Sequence, residues 1–408
     1  MMKYLILLIP VLMYADNLRS LLDYTNNNND LIISKTLTQK SKSTKITARE
    51  NAYYPTIDTG AFYKTLNEKS PFQAGDVYSG YAKVSFDIYD GGKKSSLLNQ
   101  SKNEYKASSF DTKSTKKGIS LQITQDFFNI KSLKATLFAK NEAKKSLREQ
   151  LTRIQRFYLA KLATKDDVDR LQAAYDTNMY EMQSIKFNIL SLKKSLELMV
   201  GKTITDFDNS KFKKPQEHKI ELIDSVKSLM SKKNALIDLA NSIDSIYNPH
   251  IRIEDTYNIY GYDRSDLLHR EGPNKQNKLL ISMNLRVFDK ETALKNKQSL
   301  IIESQALNSK ITYDKKQQQM QFHLALSRIN TSKIKIKSAK SALISASSAF
   351  ETISKKYDAG IVDNVTFLDA LSSKTSAIAL YETSLNDLEI AYASYYFYAG
   401  KNIEEFLQ

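Results

Sequence analysis

"YAKVSFDIYD", residues 81–90, alternates without a slip: Ala82, Val84, Phe86 and Ile88 fall on one side of an extended chain, and Lys83, Ser85, Asp87 and Tyr89 on the other. A period of two describes a strand with one apolar and one watered face. "LLISMNLRVFD", residues 279–289, reads the same way, with Leu279, Ile281, Met283, Leu285 and Val287 set against Ser282, Asn284 and Arg286. Upstream of each, Ile57, Thr59, Ala61 and Tyr63 oppose Asp58, Gly60 and Lys64, and Ile251, Ile253, Tyr257 and Ile259 oppose Arg252, Glu254 and Asn258. Four strands of about ten residues result, the length that crosses a bilayer as tilted β-structure with one face in lipid. An edge cannot stay unpaired in lipid, so four strands per chain need copies from other chains. Two chains would give eight strands around a filled interior, and three would give twelve around a lumen. Two soluble hairpins capping a helical bundle is the alternative reading of the same alternation.

The segments after these strands carry a different period. Val168, Leu171, Tyr175, Met182, Ile185, Ile189, Leu192, Leu196 and Met199 alternate spacings of three and four, interrupted only at Asn178. Ile329, Ile336, Leu343, Phe350 and Tyr357 recur every seven residues, and Leu371, Ile378, Leu385 and Tyr392 do so again. These are coiled-coil seams. Helices from about Lys93 to Phe157 and from about Glu291 to Tyr357 would each be roughly 100 Å long at the helical rise. A surface coiled-coil adhesin shares such periodicity and is the competing reading from another class.

The chain also repeats itself. Val84–Gly92 matches Met283–Glu291, Leu121 matches Met320 and Gly201 matches Gly400, each 199 residues on. "RFYLAKLATKDDVDRL", from Arg156, matches "KYDAGIVDNVTFLDAL", from Lys356, at an offset of 200, which pairs Ala160 with Gly360 and Asp169 with Asp369. Gly360 breaks a stretch without proline, and a left-handed residue there would end one helix and reverse the chain, with Asn364 capping the next and Asp363 beside its positive end. An ordinary structural hairpin needs the same turn.

Composition narrows the class. The leading "MMKYLILLIPVLMYAD" has an early lysine, an apolar run and a small residue before Asp16, the layout of a secretory signal peptide over residues 1–15; a membrane anchor is its alternative. There is no cysteine, hence no disulfide, thiolate site or lipid-attachment cysteine. His218, His250, His269 and His323 are scattered, with no metal-ligand spacing, and the sequence holds no nucleotide loop, no G-x-S-x-G and no metal box. No cofactor and no catalysis are expected. The net charge of +15 comes from dispersed lysines, which suit solvated faces, anionic lipid or the walls of a water-filled space better than nucleic acid.

The signal peptide, the tandem duplication, the hairpins after "YPTID" and "NPHIR", the long helices and the two turn motifs together resemble the TolC family of outer-membrane efflux proteins. The second turn is the most specific part, with Ala359-Gly360 ahead of Val365, Leu368, Asp369 and Ala370. The resemblance implies a fold that is mainly α with a small β part: long antiparallel coiled-coil helices forming a periplasmic tunnel, and four strands per chain in a twelve-stranded barrel shared by a homotrimer. Its segments would be an N-terminal helix over 16–53, a first hairpin over 54–90, long helices over 91–200 with a tip near 158–166, and an equatorial segment and helix over 201–247. A second hairpin over 248–289, long helices over 290–400 with a tip near 358–364, and a tail over 401–408 would follow. The implied function is a passive outer-membrane exit duct for small toxic compounds, working with a periplasmic adaptor and an inner-membrane transporter; type I protein secretion is the alternative. Adaptor contacts would fall on Leu159, Ala160, Lys161 and Leu162 and on Ala359, Gly360, Ile361 and Val362. Asp369 matches the second of the family's gate aspartates and Thr366 stands at the first, with Asp363 and Asp166 as further gate positions.

Overall fold

The computed structural model describes residues 17–67, 75–204, 207, 210–216, 219–262 and 273–408. The signal-peptide reading, most of both loops between paired strands, His218 and His269 lie outside the described residues. The chain divides into two compact units.

One unit, residues 36–111 and 225–313, contains a four-stranded antiparallel sheet in chain order. Its strands are β1 (Thr56–Thr65), β2 (Asp76–Asp90), β3 (His250–Tyr262) and β4 (Lys275–Asn284). Partners across an antiparallel pair share a face, so the register tests the alternation directly. Ile57 lies opposite Val84, Phe86 opposite Ile253, and Ile253 opposite Ile281. The apolar sets expected for the four strands therefore fall on one face, with Asp255 among them between Val84 and Leu279. On the other face Arg252 Nε donates to Asp87 Oδ1 at 2.7 Å and Lys83 lies 3.9 Å from Glu254. Two details differ from the sequence reading. The register shifts between Asp87 and Tyr89, so that Tyr89, not Ile88, pairs with Ile251; a bulge inserts one residue and breaks the phase there. The last strand stops at Asn284, and Leu285 and Val287 continue beyond it as exposed residues outside the ladder.

The same unit holds most of α2 (Asp30–Asn51), the first part of α3 (Lys93–Leu159), nearly all of α5 (Asp224–Asp244) and the start of α6 (Thr292–Asp358). The other unit takes residues up to 35, 112–224 and 314–408, and with them α1 (Leu18–Asn28), α4 (Lys165–Val200) and α7 (Asn364–Tyr398). The expected N-terminal helix is two helices, because Asn29 leaves the helical path. Its Oδ1 accepts from Ile32 N and its Nδ2 donates to Met199 O at 2.6 Å. Leu18, Leu21 and Leu22 of α1 are fully buried with Phe127 and Ile123 of α3, Leu196 of α4 and Tyr396 of α7. Segment 210–216 and the C-terminal tail close this core: Phe212 bridges to Leu407, Lys213 N donates to Phe406 O, and Tyr396 stacks on Phe406 at 3.8 Å. Asn178, the interruption in the α4 seam, is buried, and its Nδ2 donates to Lys140 O at 3.0 Å. A buried amide with a partner is tolerated where an unpaired one is not.

Candidate functional site

The expected contact residues lie on two helical turns, α3 to α4 and α6 to α7, built on one hydrogen-bond pattern. In the first, Lys161 N donates to Tyr158 O and Leu162 N to Phe157 O. In the second, Gly360 N donates to Tyr357 O and Ile361 N to Lys356 O. Both are Schellman closures, which need a left-handed residue just past the helix. Gly360 supplies it with φ 72° and Lys161 with φ 62°. Lys161, not Ala160, is therefore the counterpart of Gly360, and the turns correspond at 199 rather than 200 residues.

The next helices start from side-chain caps. Thr164 caps α4 in a capping box with Asp167. At α7 the cap is Asp363, whose Oδ1 accepts from Thr366 N at 2.9 Å and from Thr366 Oγ1 at 2.6 Å; these bonds hold its carboxyl below the usual carboxylate range. This corrects the expectation that Asn364 caps the helix. Asn364 is buried as the first residue of α7, and its Nδ2 donates to Asp167 Oδ1 at 3.0 Å, tying one turn to the other.

A second tie was not visible in the sequence. Arg153 of α3 pairs with Asp358 at the end of α6, and its Nη2 also donates to Asp358 O at 2.6 Å. A guanidinium at a helix C-terminus satisfies carbonyls that have no helical partner. Beneath the turns Leu147, Leu151, Leu171, Phe367 and Leu371 form a small core, with Tyr357 stacked on Phe367 at 4.9 Å. Thus the two turns form one assembly, and its outer surface carries apolar residues beside the exposed Lys161: Leu159, Leu162 and Ile361 are 81%, 75% and 71% exposed. Ala160, Ala359 and Gly360 are exposed beside them, and Val362 is half-buried.

The four gate candidates separate by what already holds them. Asp166 is paired with Arg170 at 2.8 Å. Asp363 and Thr366 are bonded to each other. Asp369 is exposed and, among the described residues, has no hydrogen bond or ion pair within the chain. It borders a hollow of about 320 Å³ whose lining includes Leu368, Ser372 and the paired Lys140 and Glu181. No group of acidic or histidine side chains that could hold a metal ion occurs among the described residues, and no described helix is long and apolar enough to cross a membrane.

Three comparisons bear on this arrangement. The family model described as outer membrane efflux protein matches residues 21–201. The outer membrane protein TolC of Vibrio cholerae is 21% identical over 93% of this chain and 91% of its own length. Among solved structures, a membrane protein from Pseudomonas aeruginosa superposes with a TM-score of 0.83 at 14% identity, covering 94% of this chain and 93% of its own. The Campylobacter jejuni outer membrane channel CmeC gives a TM-score of 0.83 at 14% identity, over 95% of this chain and 86% of its own. With a mainly helical fold, a small antiparallel sheet and paired helical turns, the chain is similar to the TolC-type outer-membrane efflux proteins, to the family model over residues 21–201 and to the Vibrio cholerae relative over nearly its whole length, and this similarity supports an outer-membrane exit duct with a periplasmic extension.

Proposed function

We propose that three copies of the chain close their sheets into one twelve-stranded barrel, and that the duct passes small toxic compounds delivered by an inner-membrane transporter through a periplasmic adaptor. The observation that carries the reading is the sheet. It is mainly apolar on one face, where Asp255, Asn277 and Lys275 are the exceptions, charged on the other, and ends in β1 and β4, each paired on one side only. In lipid those edges require partners, and joining β4 of one copy to β1 of the next provides them. The apolar face then meets outer-membrane lipid and the charged face lines the lumen.

The chain arose, in this reading, by tandem duplication. Supporting it, every described residue with a left-handed backbone belongs to a pair 199 apart: Gly91 with Lys290, Gly92 with Glu291, Lys161 with Gly360, and Gly201 with Gly400. The adaptor docks on the exposed apolar residues of the two turns, and Asp369 from three copies narrows the periplasmic entrance. Purified protein should run as a trimer and give discrete single-channel conductance in a planar bilayer. A monomer without conductance would overturn the duct reading and return the coiled-coil adhesin.

A further inference from the structure

The charged face of the sheet changes character along its strands. Beside the helices it carries the Arg252–Asp87 and Lys83–Glu254 pairs. Toward the opposite strand ends it carries Phe62, Tyr81, Tyr260 and Tyr262. The register sets Phe62, Ser79 and Tyr260 in one row and Gly60, Tyr81, Asn258 and Gln276 in the adjacent row, and neither row contains an acid or a base. The nearest base toward the strand ends, Lys64, stands in the following row with Val77 and Tyr262. Tyr81 lies back across β1: a Cβ at Gly60 would sit 2.8 Å from its Cζ and hydroxyl, so only glycine admits the ring there. Tyr260 and Tyr262 stack at 6.2 Å with planes 20° apart. Ser79, 4% exposed, lies in the middle of this group with its Oγ lacking any hydrogen-bond partner. A buried hydroxyl left in that state is unfavourable.

We infer that this group of rings is a binding collar for planar aromatic organic cations passing through the lumen, an inference that rests on the reading of the charged face as lumenal. Flat rings stack on Phe and Tyr faces, and the ring quadrupole attracts a cation; the row next to Tyr81 on the helix side holds Lys83 and Lys278 with Asp58 and Thr256, so stacking on the rings, not net charge, selects the ligand.

The test is current block in a planar bilayer by ethidium, with tetrapropylammonium as a cation that cannot stack. Ethidium should block wild-type channels at lower concentration than tetrapropylammonium. Tyr260→Ala should raise its half-blocking concentration about tenfold, the loss expected for one stacking ring, and Tyr260→Phe should restore it. Because the sequence has no tryptophan, Tyr260→Trp gives one tryptophan per chain, and quenching of its selectively excited fluorescence by ethidium reads occupancy in detergent without any current. Conducting channels whose block is indifferent to Tyr260→Ala, or equal for the two cations, overturn the collar alone. Absence of any channel overturns the duct reading and the collar with it.

Discussion

Lys161 holds a backbone conformation that glycine adopts freely and that costs a side-chain-bearing residue of the order of 1 kcal/mol. Its counterpart Gly360 has open space where a Cβ would stand, so the φ of 72° alone sets the cost of a substitution there. Lys161→Gly should therefore stabilise the protein by up to about 1 kcal/mol, and Gly360→Ala should destabilise it by about the same amount. Thermal unfolding of both variants, measured side by side, checks the opposite signs; equal effects would mean the two turns are not equivalent. At this scale the sequence was half legible. Gly360 announced its turn because glycine is rare in that stretch, whereas Lys161 looked like any surface lysine and shifted the apparent match by one residue. The Arg153–Asp358 tie was not legible at all, since it depends on how far one helix slides along another, which no local pattern encodes.

Strands and seams were read well because burial imposes periods of two and three-to-four on the sequence itself. Their ends were read less well: the bulge at Ile88 is a shift in pairing register with β3, and the break at Asn29 is held by a hydrogen bond to the distant backbone of Met199. Segment 210–216 shows the same limit, for it is extended, without periodicity, and held from outside. Glu389 Oε2 of α7 accepts from Phe212 N at 2.7 Å, and the hydroxyl of Tyr395 donates to Gln216 O. Burial pushes the Glu389 carboxyl above its ordinary value of 4.5, although the Phe212 amide, Lys211 and Lys131 pull it back. The folded chain then binds the Glu389 proton more tightly than the unfolded chain. Its contribution to stability is fullest below the unfolded value, declines as pH rises from there through the raised folded value, and is flat above. Glu389→Gln keeps an acceptor for Phe212 N without the buried charge. The variant should lose this decline and be at least as stable as wild type at neutral pH, as followed by melting temperature across the acid range. A steeper pH dependence, or a lower melting temperature at neutrality, would show that the charge itself holds the segment.

For the whole molecule, the proposed barrel and entrance give two separate expectations. Met283 lies on the apolar face of the sheet, opposite Ile251 and 67% exposed in the single chain. Met283→Arg should cost roughly 2–4 kcal/mol if it sits near the bilayer midplane, read as reduced trimer yield in membranes; normal assembly would contradict the assignment of that face to lipid. The entrance turns on charge. Of the four gate candidates, Asp363 and Thr366 are occupied with each other and Asp166 with Arg170, which leaves Asp369 as the carboxylate still free to meet a cation. Three copies brought together at a threefold axis would repel one another, and a multivalent cation would relieve that repulsion by binding among them. One acidic ring attracts such a cation less strongly than two would, so block by multivalent cations from the periplasmic side should be present but moderate. Asp369→Asn should weaken it while leaving conductance intact, and Thr366→Asp, by adding a second ring, should strengthen it. If both variants block like wild type, Asp369 faces away from the lumen, and the constriction lies on other residues of the two turns.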